Sequence, residues 1–296
     1  MKKTKKLHIY KYQGAGNDFL LLDNRKGSYS HLDYKQIARL CDRRFGVGAD
    51  GLMLLEDHAE YPFCMRFFNS DGMPGSMCGN GGRCISAFAL KLGIVQENTP
   101  FSFWSSDGAH QASVISRHDE QCMVRLQMRD LECYAFNKNS DVFLLDTGSP
   151  HYVMFRKDIQ NIDVVSEGRK IRFSEDFPLG VNVDFAEKEG EMLTVRTYER
   201  GVEDETFSCG TGAVASAIAE SLREYTLPGK HRTDISTKGG QLQVDFEIVI
   251  APKNPPETTF FACPPHFSLY RHRIFKNIFL EGFATFVFEA EVQPDL

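Results

Sequence analysis

The chain lacks several things that would direct its reading elsewhere. Among its 296 residues no run of about 18 apolar side chains occurs, so no membrane-spanning helix is expected. Positive charge is in deficit, 34 Lys+Arg against 40 Asp+Glu, a net charge of −6. Phosphate backbones need a basic face, so nucleic acid is not an expected partner. None of the eight cysteines stands in a C-x-x-C pair, which speaks against a zinc ribbon, and no metal is expected. The basic start "MKKTKK" is not followed by a long apolar run and reads as a solvated tail rather than a signal peptide. A cytoplasmic location with reduced thiols is therefore expected.

What is present is a soluble-type composition, 42% hydrophobic and 25% charged, long enough for one large or two ordinary domains. Strand-like segments include "LHIYKYQ", "DFLLLDN", "GLMLLED", "FCMRFFN" and the run "DVFLLDTGSPHYVMF". "DYKQIARLCDRRF" has helical spacing at Ile37, Leu40 and Cys41, with Asp33 as N-cap. "GGRCISAFALKLGI" and "GTGAVASAIAESLREY" are the other helices. "LTVRTYERG", "GGQLQVDFEIVI" and "KNIFLEGFATFVFEAEV" are late strands. The mixture is α+β or α/β.

The chain also repeats itself. Gly16-Asn17 meets Gly148-Ser149 and Gly48-Ala49-Asp50 meets Gly180-Val181-Asn182, both 132 residues apart. "MRFFN" meets "VRTYE" at 130, and "CGNG" (78–81) meets "CGTG" (209–212) at 131. Four matches in order, with a drift of two residues, predict two similar halves dividing near Asp130. Such halves would bring equivalent residues to one cleft.

The last match carries chemistry. Cys78 and Cys209 each precede Gly-x-Gly and a helix of small and apolar residues. A helix start offers unpaired N–H groups and a positive partial charge, which favour a thiolate and a bound carboxylate. Two thiols on opposite faces of a carboxylate-bearing carbon can invert it. One removes the α-proton, the other supplies a proton, and the roles exchange in reverse. Cys84, inside the helix, reads as a packing residue, and Arg83 and Asp71 as structural.

At this point the motifs "YQGAGNDF", "RRFGVGADGL", "FFNSDG", "MCGNGGRC", "TGSPHYV", "GVNVDF", "TYERG", "CGTGA" and "GFATFVFEAEV" follow one family's order. Over nearly its whole length the chain resembles the diaminopimelate epimerases. The resemblance implies two barrel-like, mostly antiparallel halves, each around a central helix. The first is 1–130, completed by about 282–296; the second is 131–281. It implies interconversion of LL- and meso-2,6-diaminopimelate, in lysine and peptidoglycan precursor synthesis, with no cofactor and in a homodimer. Cys78 and Cys209 match the catalytic cysteines; His151 assists one thiol and Glu199 the other. Asn17, Asn69, Asn182 and Arg200, with Glu199, hold the substrate. Backbone N–H groups around Gly79-Asn80 and Gly210-Thr211 hold the reacting carboxylate.

Turn roles stay open for Asn17 and Asn69, a plain strand position for His151, and a solvated pair for Glu199-Arg200. The chain departs from the family at Ser149, where many members carry Asn, and at Gly51, where some carry Gln. A Pro- and aromatic-rich insertion spans about 251–275, readable as a surface loop, a dimer contact or a lid. Proline or hydroxyproline racemases are the nearest alternative, but they read "MCGHG" where this chain has Asn80. Phenazine-biosynthesis-like isomerases lack the cysteine pair. A non-catalytic amino-acid-binding protein is the alternative of another class.

Overall fold

The computed structural model describes residues 6–75, 77–137, 139–252, 260–261 and 263–293. The expected solvated tail lies largely outside the described residues, as does part of the insertion. Two compact units form, one of Met1–Leu126 with Gly282–Leu296, the other of Gln127–Glu281.

The first unit contains β1 (Leu7–Gly14), β2 (Asn17–Asp23), α1 (Tyr34–Cys41), β3 (Gly51–Glu56), β4 (Cys64–Asn69), α2 (Gly79–Lys91), β5 (Phe101–Ser105), β6 (Gly108–His118) and β7 (Gln121–Gln127). Neighbours in sequence pair, β1–β2, β3–β4, β5–β6 and β6–β7 antiparallel, β2–β3 and β4–β5 parallel. Residues 283–292 then pair antiparallel with both β7 and β1 and close an eight-stranded barrel. Closure leaves no free edge. α2 fills the inside, with Cys84, Ile85, Phe88 and Ala89 fully buried. A helix buried on nearly every side is mostly apolar or small, as this one is apart from the buried Asn80 and Arg83 near its start. Phe88 alone is worth about 1.5–3 kcal/mol in burial.

The second unit repeats the plan. β9 (Val142–Asp146) and β10 (Pro150–Phe155) follow the short β8 (Tyr134–Asn137); then come α3 (Val164–Arg172), β11 (Asn182–Glu189), β12 (Met192–Glu199), β13 (Asp204–Thr206), α4 (Gly210–Arg223), β14 (Gly229–Thr237) and β15 (Gly240–Ile250). β16 (Ser268–Tyr270) and β17 (Arg273–Val292) end the chain. β9–β10 is antiparallel, β10–β11 parallel, β11–β12 antiparallel, β12–β14 parallel and β14–β15 antiparallel. That is the order of β1 to β6. β15 then pairs with β17, whose Phe275 and Ile278 meet Leu131 and Met128. α4 is the central helix, with Ala215, Ala217, Ile218 and Ala219 fully buried.

The repeated glycines show why the matches persist. Gly16 and Gly48 have φ of 83° and 86°, and Gly148 and Gly180 have 110° and 73°. These turns lie in a region side chains rarely enter.

Three readings change in detail. The run 141–155 is two strands, broken at 147–149. α1 has its expected Asp33 cap, now seen as a capping box with Gln36, but stops at Cys41. α3 was not expected at all. In the insertion, β16 pairs with β8, Tyr270 stacks on Tyr134, and Phe260, Phe261 and Phe267 pack on the second unit's core. Its described part is thus sheet and core of that unit.

Candidate active site

Each unit presents its cysteine in the same way. Cys78 is the N-cap of α2 with φ −109° and ψ 134°, and Cys209 the N-cap of α4 with φ −111° and ψ 115°. N-caps are usually Ser, Thr, Asp or Asn, whose oxygens cover the first N–H groups. Neither thiol makes a regular side-chain cap hydrogen bond, although the Gly212 amide faces the Cys209 sulfur closely enough to favour its thiolate. The first intrahelical bonds run from Gly82 to Cys78 and from Ala213 to Cys209. The amides of residues 79–81 and 210–212 therefore have no acceptor within their helices, which suits a carboxylate.

In the first unit, Cys78 Sγ lies 3.7 Å from Asn17 Oδ1, and Asn80 Nδ2 donates to the same oxygen at 3.5 Å. Asn17 in turn donates to Asp50 at 2.5 Å. Asp50 and Asp18 share Arg43 at 2.6 Å each, and Asp18 also meets Lys11 at 2.7 Å. Burial would raise the Asp18 carboxyl, but Arg43 and Lys11 overcome it and hold it well below the ordinary range. Arg83 is fully buried; it donates to Asn80 Oδ1 at 2.8 Å and the Gly79 carbonyl at 3.4 Å, while its Nε has no partner. Burial pushes its pKa down, and the neighbouring Cys84 and Cys78 oppose that. The structure thus brings Cys78, Asn17 and Asn80 together. Asn69, at the end of β4, uses its backbone in the turn to Gly72 and Met73 and leaves its side chain exposed.

In the second unit the groups form a chain. His151 Nδ1 meets Asp184 Oδ2 at 2.7 Å, and both side chains are fully buried. His151 Nε2 meets Thr211 Oγ1 at 2.9 Å, which lies 3.4 Å from Cys209 Sγ. Thr197 donates to the other Asp184 oxygen at 2.7 Å. Burial, then Glu199 and Asp184, push the Cys209 thiol well above its ordinary value; the Thr211 hydroxyl and the Gly212 amide pull the other way. Asn182 donates to Ser149 Oγ at 2.7 Å and the Pro150 carbonyl at 3.0 Å, and accepts from the Arg200 amide at 2.9 Å. Arg200 reaches the Leu179 and Gly180 carbonyls at 3.3 Å. Glu199 ends β12, opposite Asp204.

Sequence reasoning missed Asp184 and Thr197. The signal was there: Asp184 sits in "GVNVDF", two positions after Asn182 and between the apolar Val183 and Phe185. The departures acquire reasons too. Ser149 is Asn182's acceptor. A Cβ on Gly51 would meet the Phe67 ring at 2.5 Å, so the ring holds the space a larger residue would need. Cys84 is fully buried and its thiol is pushed up by that burial, as a packing residue's should be. Among the described residues no group of three or more His, Cys, Asp or Glu is placed to hold a metal ion, and no helix is long and apolar enough to cross a membrane.

Residues 9–128 and 143–252 match the family model described as diaminopimelate epimerase. A diaminopimelate epimerase of Flavobacterium psychrophilum is 42% identical over 97% of this chain and 100% of its own. One from Methanocella arvoryzae is 35% identical over 86% of this chain and 95% of its own. Among solved structures, a Bacillus anthracis phenazine biosynthesis protein of the PhzF family aligns with a TM-score of 0.70 at 12% identity, over 97% of this chain and 99% of that one. A hydroxyproline epimerase of Agrobacterium vitis aligns with a TM-score of 0.67 at 12% identity, over 99% and 94%. At such identity these two speak for the fold alone. By its matched length, its paired Cys-Gly-x-Gly helix starts and its relatives, this chain belongs to the diaminopimelate epimerase family.

Proposed function

We propose that this chain interconverts LL- and meso-2,6-diaminopimelate without a cofactor, Cys78 and Cys209 exchanging the roles of base and acid. The observation that carries the reading is the pair of cysteines standing as N-caps that do not cap. Each leaves a thiol beside three amides with no intrahelical acceptor. The amides take the α-carboxylate and stabilise charge as the α-proton leaves. One thiolate accepts that proton on one face while the other thiol delivers its own to the opposite face.

Asn17, Asn69, Asn182, Glu199 and Arg200 hold the amino acid, the guanidinium suiting the distal carboxylate as a fork. His151 and Glu199 assist the thiols. Diaminopimelate is favoured over proline by Asn80 where the proline racemases carry His, and by Glu199-Arg200 shortly before Cys209. A homodimer in the cytoplasm, supplying lysine and peptidoglycan synthesis, completes the reading.

The test is incubation of fresh, reduced protein with LL-diaminopimelate in deuterium oxide, with proline in parallel. Deuterium at the α-carbon of diaminopimelate and not of proline is expected. No incorporation into diaminopimelate would remove the epimerase reading, and incorporation into proline alone would replace it.

A further inference from the structure

Thr211 was expected to serve through its backbone N–H, yet its hydroxyl lies between a thiol and an imidazole. The hydrogens can be placed by elimination. A carboxylate only accepts, so the 2.7 Å contact with Asp184 requires the proton on His151 Nδ1. In the neutral imidazole that proton leaves a lone pair on Nε2, to which the Thr211 hydroxyl, 2.9 Å away, donates. That hydroxyl oxygen is left to accept from the Cys209 thiol at 3.4 Å. Thr197 occupies the second Asp184 oxygen at 2.7 Å and fixes the carboxylate.

The geometry points to a proton relay: Thr211 is a catalytic residue that passes the Cys209 proton to His151, with Asp184 as the positioning residue that sets the imidazole's tautomer. The Cys209 S–H proton moves to Thr211 Oγ1 as the Thr211 hydroxyl proton moves to His151 Nε2. Thiol and imidazole become thiolate and imidazolium, and nothing else changes. Reversing both transfers rearms the thiol as an acid. The need for such a base is physical. Burial and two nearby carboxylates oppose a thiolate at Cys209, and the buried Asp184 compensates the imidazolium formed in its place. Gly212 makes the arrangement possible, since a Cβ there would lie 2.4 Å from Asp184 Oδ1.

The relay deepens the two-thiol reading and rests on it for its place in turnover, but its test does not need the substrate. Alkylation of Cys209 by iodoacetamide is followed by peptide mass spectrometry at neutral pH, with Cys78 in the same sample as internal control. Thr211→Val and His151→Gln should slow Cys209 about tenfold or more, and Thr211→Ser, which keeps the hydroxyl, should restore it to within about threefold. Nitrogen-15 NMR of histidine-labelled protein should show His151 Nδ1 protonated, assigned by its loss in His151→Gln. Unchanged Cys209 alkylation in Thr211→Val, or a bare Nδ1, overturns the relay. If these readouts hold while diaminopimelate gains no deuterium, the relay stands and the substrate reading falls.

Discussion

The two helix starts share a backbone and differ in what stands behind the sulfur. At α2 the buried neighbour is a cation, Arg83, bonded to neutral oxygens. At α4 it is a histidine on a buried carboxylate, reached through a hydroxyl. The repeat has preserved geometry and let electrostatics diverge. Identical nucleophile positions are therefore two chemically distinct thiols, and substitutions at matched positions should have unequal effects.

The largest effect tests the equivalence itself. Cys78→Ala and Cys209→Ala should each abolish epimerisation in a coupled or polarimetric assay, while Cys84→Ala keeps most activity and costs about 1–2 kcal/mol of stability. A surviving single-cysteine variant would break the pairing.

Next come the matched glycines. Gly212→Ala drives a methyl into the Asp184 carboxylate at 2.4 Å, whereas Gly81→Ala meets nothing nearer than the Met53 sulfur at 3.4 Å and the Met65 methyl at 3.5 Å. Gly212→Ala should lower kcat about a hundredfold and destabilise by about 1–3 kcal/mol, and Gly81→Ala should stay near wild type. Steady-state kinetics and denaturant titration of both variants measure the contrast.

A third difference lies at the turns entering β2 and β10. The first is laced by Lys11, Asp18, Arg43 and Asp50, the second by neutral bonds of Asn182 to Ser149 and Pro150. The Asp18 carboxyl is depressed in the folded protein, so its stabilisation is full above an unfolded value of about 4. It is lost as pH falls from there toward the folded value. Hydrogen exchange should show α1 and β3 opening before α3 and β11 on acidification, and Asp18→Asn should abolish that order.

The smallest effect concerns Gly51. Gly51→Gln alone should destabilise the first unit by about 1–3 kcal/mol through Phe67, and Phe67→Ala should recover part of it. Additive losses in a double-mutant cycle would separate the two positions.

What could be read from the sequence follows the same divide between local and assembled signals. α1 was legible because Ile37, Leu40 and Cys41 share a face behind the Asp33 cap. α3 was not, because only Val164 and Gly168 are buried on it; Gly168 is there because Tyr198 leaves no room for a Cβ, at 2.4 Å. The repeat was visible where glycines take left-handed turns. The cysteines and His151 announced themselves through their neighbours in sequence. Asp184 did not, because its partners come from two other strands: Thr197 opposite it on β12, and His151 two residues before its parallel partner Val153. Only strand pairing makes that chain of groups.

β17 carries a consequence for the birth of the protein. Its residues 283–292 close the first barrel by pairing with β7 and β1, so that Leu7 meets Val292, 285 positions later. Most of the first unit emerges from the ribosome early yet waits for residues 283–292 to seal its seam. Chain synthesis therefore cannot finish one half before beginning the other, and a truncation of a dozen C-terminal residues would reopen the half made first.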